Sequence, residues 1–363
     1  MDIADELFLK GLYMSRNVTI VEIAKESGVS TATVSRVLSG SGPVSPKTKA
    51  RVEEVVRKYG YCPNPLAQGL ILRQSRTLGM IIPNITNPYF STLVGIIERA
   101  AHEAHYSIIL CITSFTATSH KSGGQETEED YFQMILDKKV DGVIIAGGQI
   151  DLCEVSDSYK TALEKLAKAI PVVVIGQTLP DIPCCFVNKE HEKGMVIAVR
   201  YLASLGHCRI GFAGGEPGII ITESRLQTYR AVLEQLGLDT DPDLVSVSDY
   251  YLPDGYNAAK KLLELDRPVT AILAMNDNIA IGAIRAISDY FLSVPDDIAL
   301  ISCDQFMDGN FLTPRLTSLE RHTERLALHV IRLLLSMIQG TQAPEPPDLY
   351  PDLIIRESSG KHL

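Results

Sequence analysis

Residues 19–38 read TIVEIAKESGVSTATVSRVL, two short amphipathic segments joined across a glycine. Thr19 followed three residues later by Glu22 forms a capping box, in which each side chain bonds the other residue's backbone N–H at a helix start. The helix predicted from it carries Ile20, Ile23 and Ala24 inward and stops near Ser27 and Gly28, where glycine can take the positive φ of a turn. Ser30 then caps a second helix, in which Val34, Val37 and Leu38 follow i, i+3, i+4 spacing. Small Ala24 allows close approach, and Val29 with Val34 fills the angle between the helices, so the stretch specifies a helix-turn-helix. With the apolar triplet inward, Thr31, Ala32, Ser35 and Arg36 fall on the outer and N-terminal face of the second helix. Ser45 as cap and Pro46 at the first position predict a third helix through Val52, Val55 and Val56, stopping at residues 58–61, KYGY.

Charge separates this head from the remainder of the chain. The net charge is −10, yet residues 15–75 hold nine Lys/Arg against four Asp/Glu, or +5. Residues 1–14 sum to −2, which leaves −13 for the rest. A basic head on an acidic body confines attraction for phosphates to the head.

Residues 18–70, VTIVEIAKESGVSTATVSRVLSGSGPVSPKTKARVEEVVRKYGYCPNPLAQGL, are similar to the DNA-binding head and hinge of the LacI/GalR repressor family. The resemblance implies base contacts from Thr31, Ala32 and Arg36, with Thr33 and Ser35 near bases or phosphates, and adds Thr19 and Ser30 to the DNA-facing set. It also implies a hinge, residues 64–70 (NPLAQGL), that folds as a helix only on operator DNA, with Asn64, Ala67 and Leu70 at its contacts. Pro65 and Gly69 make this a poor isolated helix, glycine alone costing about 1 kcal/mol. Leu70 is either a wedge that pries open a base step or the first residue of the body's core. Gly69, and Cys62 in the GYxPN segment, depart from the family's usual residues.

Past Leu78, short apolar strands alternate with amphipathic helices: LGMII, SIILCI and DGVIIA, then RIGFAGG, LVSVSD, AILAMND and IALISCD. Such alternation means parallel sheets with helices on both faces, and two sets mean two lobes around a cleft. This portion resembles the family's periplasmic-binding-protein-like sensor domain. The expected fold is α/β with an all-α head: a three-helix helix-turn-helix domain, a hinge, and a body of two parallel-sheet lobes. Residues 1–14 form a leader, expected to be dispensable, with Met14 a candidate start; residues 15–62 form the head, 63–76 the hinge and 77–363 the body. Family crossovers give about 77–179 and 307–337 to the lobe nearer DNA, and about 180–306 and 338–363 to the far lobe.

Ligands in open α/β sheets sit beyond the strand carboxyl ends. Asn276 and Asp277 follow AILAM, Asp304 follows IALISC and Tyr250 follows VSVSD, while alignment with the family adds Arg225, whose fork suits hydroxyls or a carboxylate. Tyr89 and Phe90 are expected on the near-lobe wall. Asp277 reads equally as a helix cap, and Tyr250 as a surface aromatic. Arg225, Asn276 and Asp304 are the favoured effector contacts, and the family's ligands suggest a sugar or sugar derivative. Because a cleft carboxylate adds little to core packing, Asp304→Ala is expected to abolish the ligand response and leave the fold intact.

Several functions are excluded. GFAGGEPG lacks the strand–GxGxxG–helix spacing of a dinucleotide enzyme, and no motif places a Ser/His/Asp or Cys/His constellation, so no enzyme is expected. Seven scattered cysteines, with only Cys184 and Cys185 close together, give no metal or disulfide framework, and no cofactor is expected. Without a signal peptide or spanning apolar run, the expected location is the cytoplasm, and the helix-turn-helix opposes a secreted sugar-binding protein. The expected partners are pseudo-palindromic double-stranded operator DNA and a second copy of the chain. The absence of C-terminal leucine heptads argues for dimers rather than tetramers.

Overall fold

The computed structural model describes residues 18–39, 42–61, 74–114, 127–188, 191–305 and 308–360. The chain divides into two compact units, residues 1–75 and 76–363. The expected hinge contacts Asn64, Ala67 and Leu70 lie outside the described residues, as does the leader.

In the first unit, α1 (Ile20–Ser27), α2 (Thr31–Ser39) and α3 (Pro46–Tyr59) close around Ile23, Ala24, Val34, Val52 and Val55. The capping box forms: the Thr19 N–H donates to Glu22 Oε2 at 2.8 Å, and the Glu22 N–H donates to Thr19 Oγ1 at 3.4 Å. Gly28 takes φ +63° at the end of α1, and the Val29 N–H returns to the Ala24 carbonyl at 3.0 Å, turning the chain into α2. Ser30 Oγ accepts from the Thr33 N–H at 3.2 Å, and Ser45 Oγ accepts from the Thr48 N–H at 3.3 Å, so both expected caps form.

The second unit contains two sheets. The first is β2 (Ser107–Ile112), β1 (Thr77–Ile82), β3 (Gly142–Ala146), β4 (Val172–Ile175) and β5 (Cys185–Val187), in that spatial order and parallel throughout. Helices α4 (Pro88–Glu103), α5 (Glu128–Asp137) and α6 (Asp157–Ala169) connect these strands. The second sheet follows α7 (His191–Ser204) and runs β11 (Asp352–Ile354), β10 (Thr317–Glu320), β9 (Ala299–Ser302), β8 (Ala271–Ala274), β6 (Ile210–Ala213), β7 (Val245–Ser246). Among the described residues of this sheet, only β11 is antiparallel to its neighbour. Helices α8 (Ile220–Leu236), α9 (Leu252–Leu263) and α10 (Asp277–Asp289) join its strands, and α11 (Thr323–Gln339) returns to the first lobe, where Leu326, Val330 and Leu334 enter the core.

Two lobe assignments need correction. β5 lies within residues expected in the far lobe, yet Val173 pairs with Cys185 in the first sheet. β10 lies within residues expected in the near lobe, yet Thr317 pairs with Ile301 in the second. The bounds come from the family's crossovers, and both segments adjoin a crossing between lobes, where a shift of a few residues changes the assignment.

α9 and α10 touch through glycines. A Cβ on Gly282 would lie 2.6 Å from the Tyr256 backbone nitrogen, and one on Gly255 would lie 2.6 Å from the Ile279 Cα. Backbone cannot rotate aside as a side chain does, so Gly282→Ala is expected to cost at least about 1–3 kcal/mol, read as a lower urea midpoint. An unchanged midpoint would show that the helices can part without loss.

Candidate effector cleft and nucleic-acid interface

Both sheets share the order second-first-third-fourth-fifth, which puts a switch point between β1 and β3 in one lobe and between β6 and β8 in the other. The segments leaving these four strands supply Asn84, Gly147, Glu216 and Asn276 to one cleft of about 370 Å³. The lobes meet across it. Leu152 forms an antiparallel bridge with Ile219, the Cys153 N–H donates to the Gly218 carbonyl at 3.0 Å, and Asn84 Nδ2 donates to the Tyr251 hydroxyl at 2.5 Å.

Tyr89 and Phe90, at the start of α4, line the wall expected of them, with ring centroids 4.9 Å apart at 63°. Gly147 makes room: a Cβ there would meet the Phe90 ring at 2.6 Å, and its φ of +76° suits glycine. Tyr250 lines the opposite wall, its hydroxyl 2.9 Å from Thr222 Oγ1. Burial pushes the Tyr89 and Tyr250 hydroxyls far above their usual range, so both keep their protons at neutral pH.

Asn276 lines the cleft but already works for the fold: Oδ1 accepts from the Ile279 N–H at 2.9 Å and Nδ2 donates to the Tyr250 carbonyl at 3.1 Å. It caps α10, leaving one amide hydrogen for a ligand. Asp277, read as ligand contact or cap, is neither; it is buried and accepts from the Ser302 hydroxyl at 2.7 Å.

Arg225 departs from expectation. It does not line the cleft; its side chain is 1% exposed, and its fork holds Asp304, Nη2 to Oδ1 at 2.8 Å and Nη1 to Oδ2 at 3.1 Å. Further bonds reach the carbonyls of Met275 at 2.6 Å and Cys303 at 3.2 Å. Asp304 does line the cleft, with Arg225 fixing it from behind. This geometry removes the premise that Asp304 adds little to packing, because the carboxylate is the counter-charge of a buried guanidinium.

The structure adds residues that sequence reasoning missed, among them Asp151, Gln177, Asp249, Tyr251 and Arg321. Arg321 follows β10, donates from Nη2 to His191 Nδ1 at 3.1 Å and brings Nε within 3.7 Å of Asp304. A guanidinium cannot accept, so the His191 proton sits on Nε2. Gln177 Nε2 donates to the Ile150 and Leu152 carbonyls at 2.9 and 2.7 Å, fixing the turn that carries Asp151. All five follow a strand's carboxyl end, so the rule that located Asp304 would have found them if applied to every strand.

In the head, Thr31, Ala32 and Arg36 are exposed on α2, and Thr33 and Ser35 are half-buried around fully buried Val34. Thr19 and Ser30 are exposed, each with a side chain engaged in its cap. The outer face thus carries short polar groups at the positive end of the helix and an arginine one turn on, suited to phosphate and base contact.

Among the described residues, no group of His, Cys, Asp and Glu is placed to hold a metal, and no helix is long and apolar enough to cross a membrane.

Residues 19–64 match the family model described as bacterial regulatory proteins, lacI family, and residues 199–359 match that of a periplasmic binding protein-like domain. The HTH-type transcriptional regulator DegA of Bacillus subtilis (strain 168) is 31% identical over 342 residues, covering 94% of this chain and 98% of DegA. The lac repressor dimer bound to operator and the anti-inducer ONPF superposes with TM-score 0.82 at 25% identity, covering 95% of this chain and 100% of that one. A complex of the transcriptional regulator CelR with cellobiose superposes with TM-score 0.66 at 26% identity, covering 94% and 99%. These relatives are regulators rather than enzymes. Helix-turn-helix head, two-lobed body and full-length similarity agree: the chain belongs to the lacI family of bacterial regulatory proteins.

Proposed function

We propose that this protein is a cytoplasmic repressor whose grip on operator DNA is set by a sugar or sugar derivative bound between the lobes. The observation that carries the reading is the aromatic-walled cleft of about 370 Å³, with tyrosine hydroxyls, Asn276 and Asp304 converging on it from both lobes. Binding by residues of both lobes gives the differential affinity for one lobe arrangement that any ligand-driven switch requires. The cellobiose complex of CelR supports a carbohydrate. The lac repressor dimer on its operator supports a homodimer on an inverted repeat, in which ligand alters how the two hinges, within residues 63–76, reach the minor groove.

Thr31, Ala32 and Arg36 read bases in this scheme, with Thr33 and Ser35 near bases or phosphates and Thr19 and Ser30 in the same DNA-facing set. Selection from a random duplex pool is expected to yield an inverted repeat. On that site Arg36→Ala is expected to relax preference at one position per half-site by about 1–3 kcal/mol, with little loss on random DNA. Equal loss on both would assign Arg36 to phosphate instead.

A further inference from the structure

Five carboxylates line the cleft, those of Asp151, Glu192, Glu216, Asp249 and Asp304, and among the described lining residues the guanidinium that faces them is that of Arg321. His191 accepts from Arg321 Nη2 at 3.1 Å as a neutral ring and adds no charge. Arg225 counts as well, since it grips Asp304 from behind at 2.8 and 3.1 Å. Five carboxylates against two guanidinia leave an excess of three negative charges among the described residues. Both guanidinia stand at Asp304, which lies 3.7 Å from Arg321 Nε. The other carboxylates bear on the tyrosines of the far lobe. Burial first, and then Asp151 and Glu216, raise the pKa of the Tyr250 hydroxyl; burial, then Asp249, and further Glu216 and Asp254 raise that of Tyr251. Asp151 and Glu216 come from opposite lobes, on the two segments that pair as Leu152 with Ile219. The lobes thus meet where two like charges converge on one tyrosine.

We propose that the effector is a carbohydrate free of phosphate and carboxylate, and that Asp151 and Glu216 are the residues that turn its anionic derivatives away. The proposal rests on the cleft being the effector site. An ionised carboxylate only accepts hydrogen bonds, through about four lone-pair sites, so this lining calls for a ligand rich in donors. Sugar hydroxyls are such donors, and their bonds to a carboxylate are charge-assisted. A phosphate monoester instead brings acceptor oxygens and a charge of about −1.5 to −2 at neutral pH into a cleft whose walls screen like charges poorly. A sugar acid brings one charge of the same sign. Either would sit between carboxylates of both lobes and oppose the lobe arrangement that a neutral polyol favours by bonding to both.

Matched series test this on the full chain by thermal shift and calorimetry: D-glucose against glucose 6-phosphate and D-glucuronate, D-galactose against galactose 6-phosphate and D-galacturonate, D-ribose against ribose 5-phosphate, and cellobiose against cellobionate. At least one neutral sugar is expected to bind, and to bind about tenfold or more tighter than its anionic counterparts. Asp151→Asn combined with Glu216→Gln keeps the volumes and removes both charges, and should shrink that gap about threefold or more. The readout is a ratio of affinities within one protein, so a general loss of stability or of lobe closure cancels. Either substitution alone should close part of the gap, and the single variants decide if the pair fails to fold. An anionic member that binds as tightly as its neutral parent, or tighter, overturns the exclusion while upholding the cleft reading. A gap undiminished in all three variants overturns the role given to Asp151 and Glu216. Silence from every member overturns the cleft reading and this inference with it.

Discussion

Asp304→Ala is expected to destabilise the body by about 3–5 kcal/mol, a large share of the stability of a domain this size. Arg225 has no route to solvent, with 1% of its side chain exposed, and Asp304 supplies both acceptors of its fork. Truncation leaves the Arg225 charge in low dielectric with the neutral carbonyls of Met275 and Cys303, and removes a carboxylate 3.7 Å from Arg321 Nε as well. The loss is therefore the cost of an orphaned charge, not the strength of two hydrogen bonds. Asp304→Asn keeps an acceptor and the volume but not the charge, and should fall between alanine and the parent. Replacing both partners by apolar residues, Arg225→Met with Asp304→Leu, should cost less than Asp304→Ala alone, because no buried charge then remains. Urea unfolding of the four proteins at neutral pH measures this directly, and an Asp304→Ala midpoint equal to that of the parent would show that Arg225 finds solvent. Loss of effector response in Asp304→Ala is accordingly no test of the pocket by itself; Asp304→Asn, compared at matched stability, is the informative variant.

The head was legible because its signals are local. A capping box, a left-handed glycine, a serine cap and a proline at a helix start each act within four residues, and each formed as read. Seven strands were legible as apolar runs, but short β5 and β10 were not among them, and the lobe bounds carried over from the family put both segments on the wrong side. Polar residues at strand ends were found where a strand had been read before them, as at Asp304, and missed where none had been, as at Arg321. Arg225 shows a different limit. Its place beside Asp304 was inferable, but whether its fork faced the cleft or the protein depends on packing around Met275 and Cys303, fifty and seventy-eight residues further on. No spacing rule reaches that far.

Raising the pH from 5 to 8 is expected to destabilise the body through Glu128, and Glu128→Gln is expected to abolish that part of the dependence. Glu128 opens α5, and its side chain turns inward against Gly148, whose φ of +85° and missing Cβ admit the carboxyl to within 2.7 Å of where that Cβ would stand. Oε2 accepts from the Gln149 N–H at 2.6 Å, while Oε1 is buried with no hydrogen-bond partner among the described residues. Burial raises its pKa from 4.5 to about 8; the Gln149 bond opposes the rise, and Glu129 and Asp151 add to it. The folded state therefore keeps a proton that the unfolded chain releases anywhere between these two values. The protonated carboxyl's contribution is complete below about 4.5, declines by about 1.4 kcal/mol per pH unit above it, and is gone once pH has passed through about 8. Glutamine stays neutral at every pH and keeps an acceptor for Gln149, so the variant should match the parent near pH 5 and exceed it by on the order of 3 kcal/mol near pH 7 to 8. Urea midpoints across that range separate the outcomes: diverging curves support a buried neutral carboxyl, and parallel curves would mean that Glu128 ionises in the fold. The same turn carries Asp151 into the cleft, so ionisation of Glu128, which sets a second negative charge beside it, should also loosen that wall and weaken effector binding above pH 8 in the parent but not in Glu128→Gln.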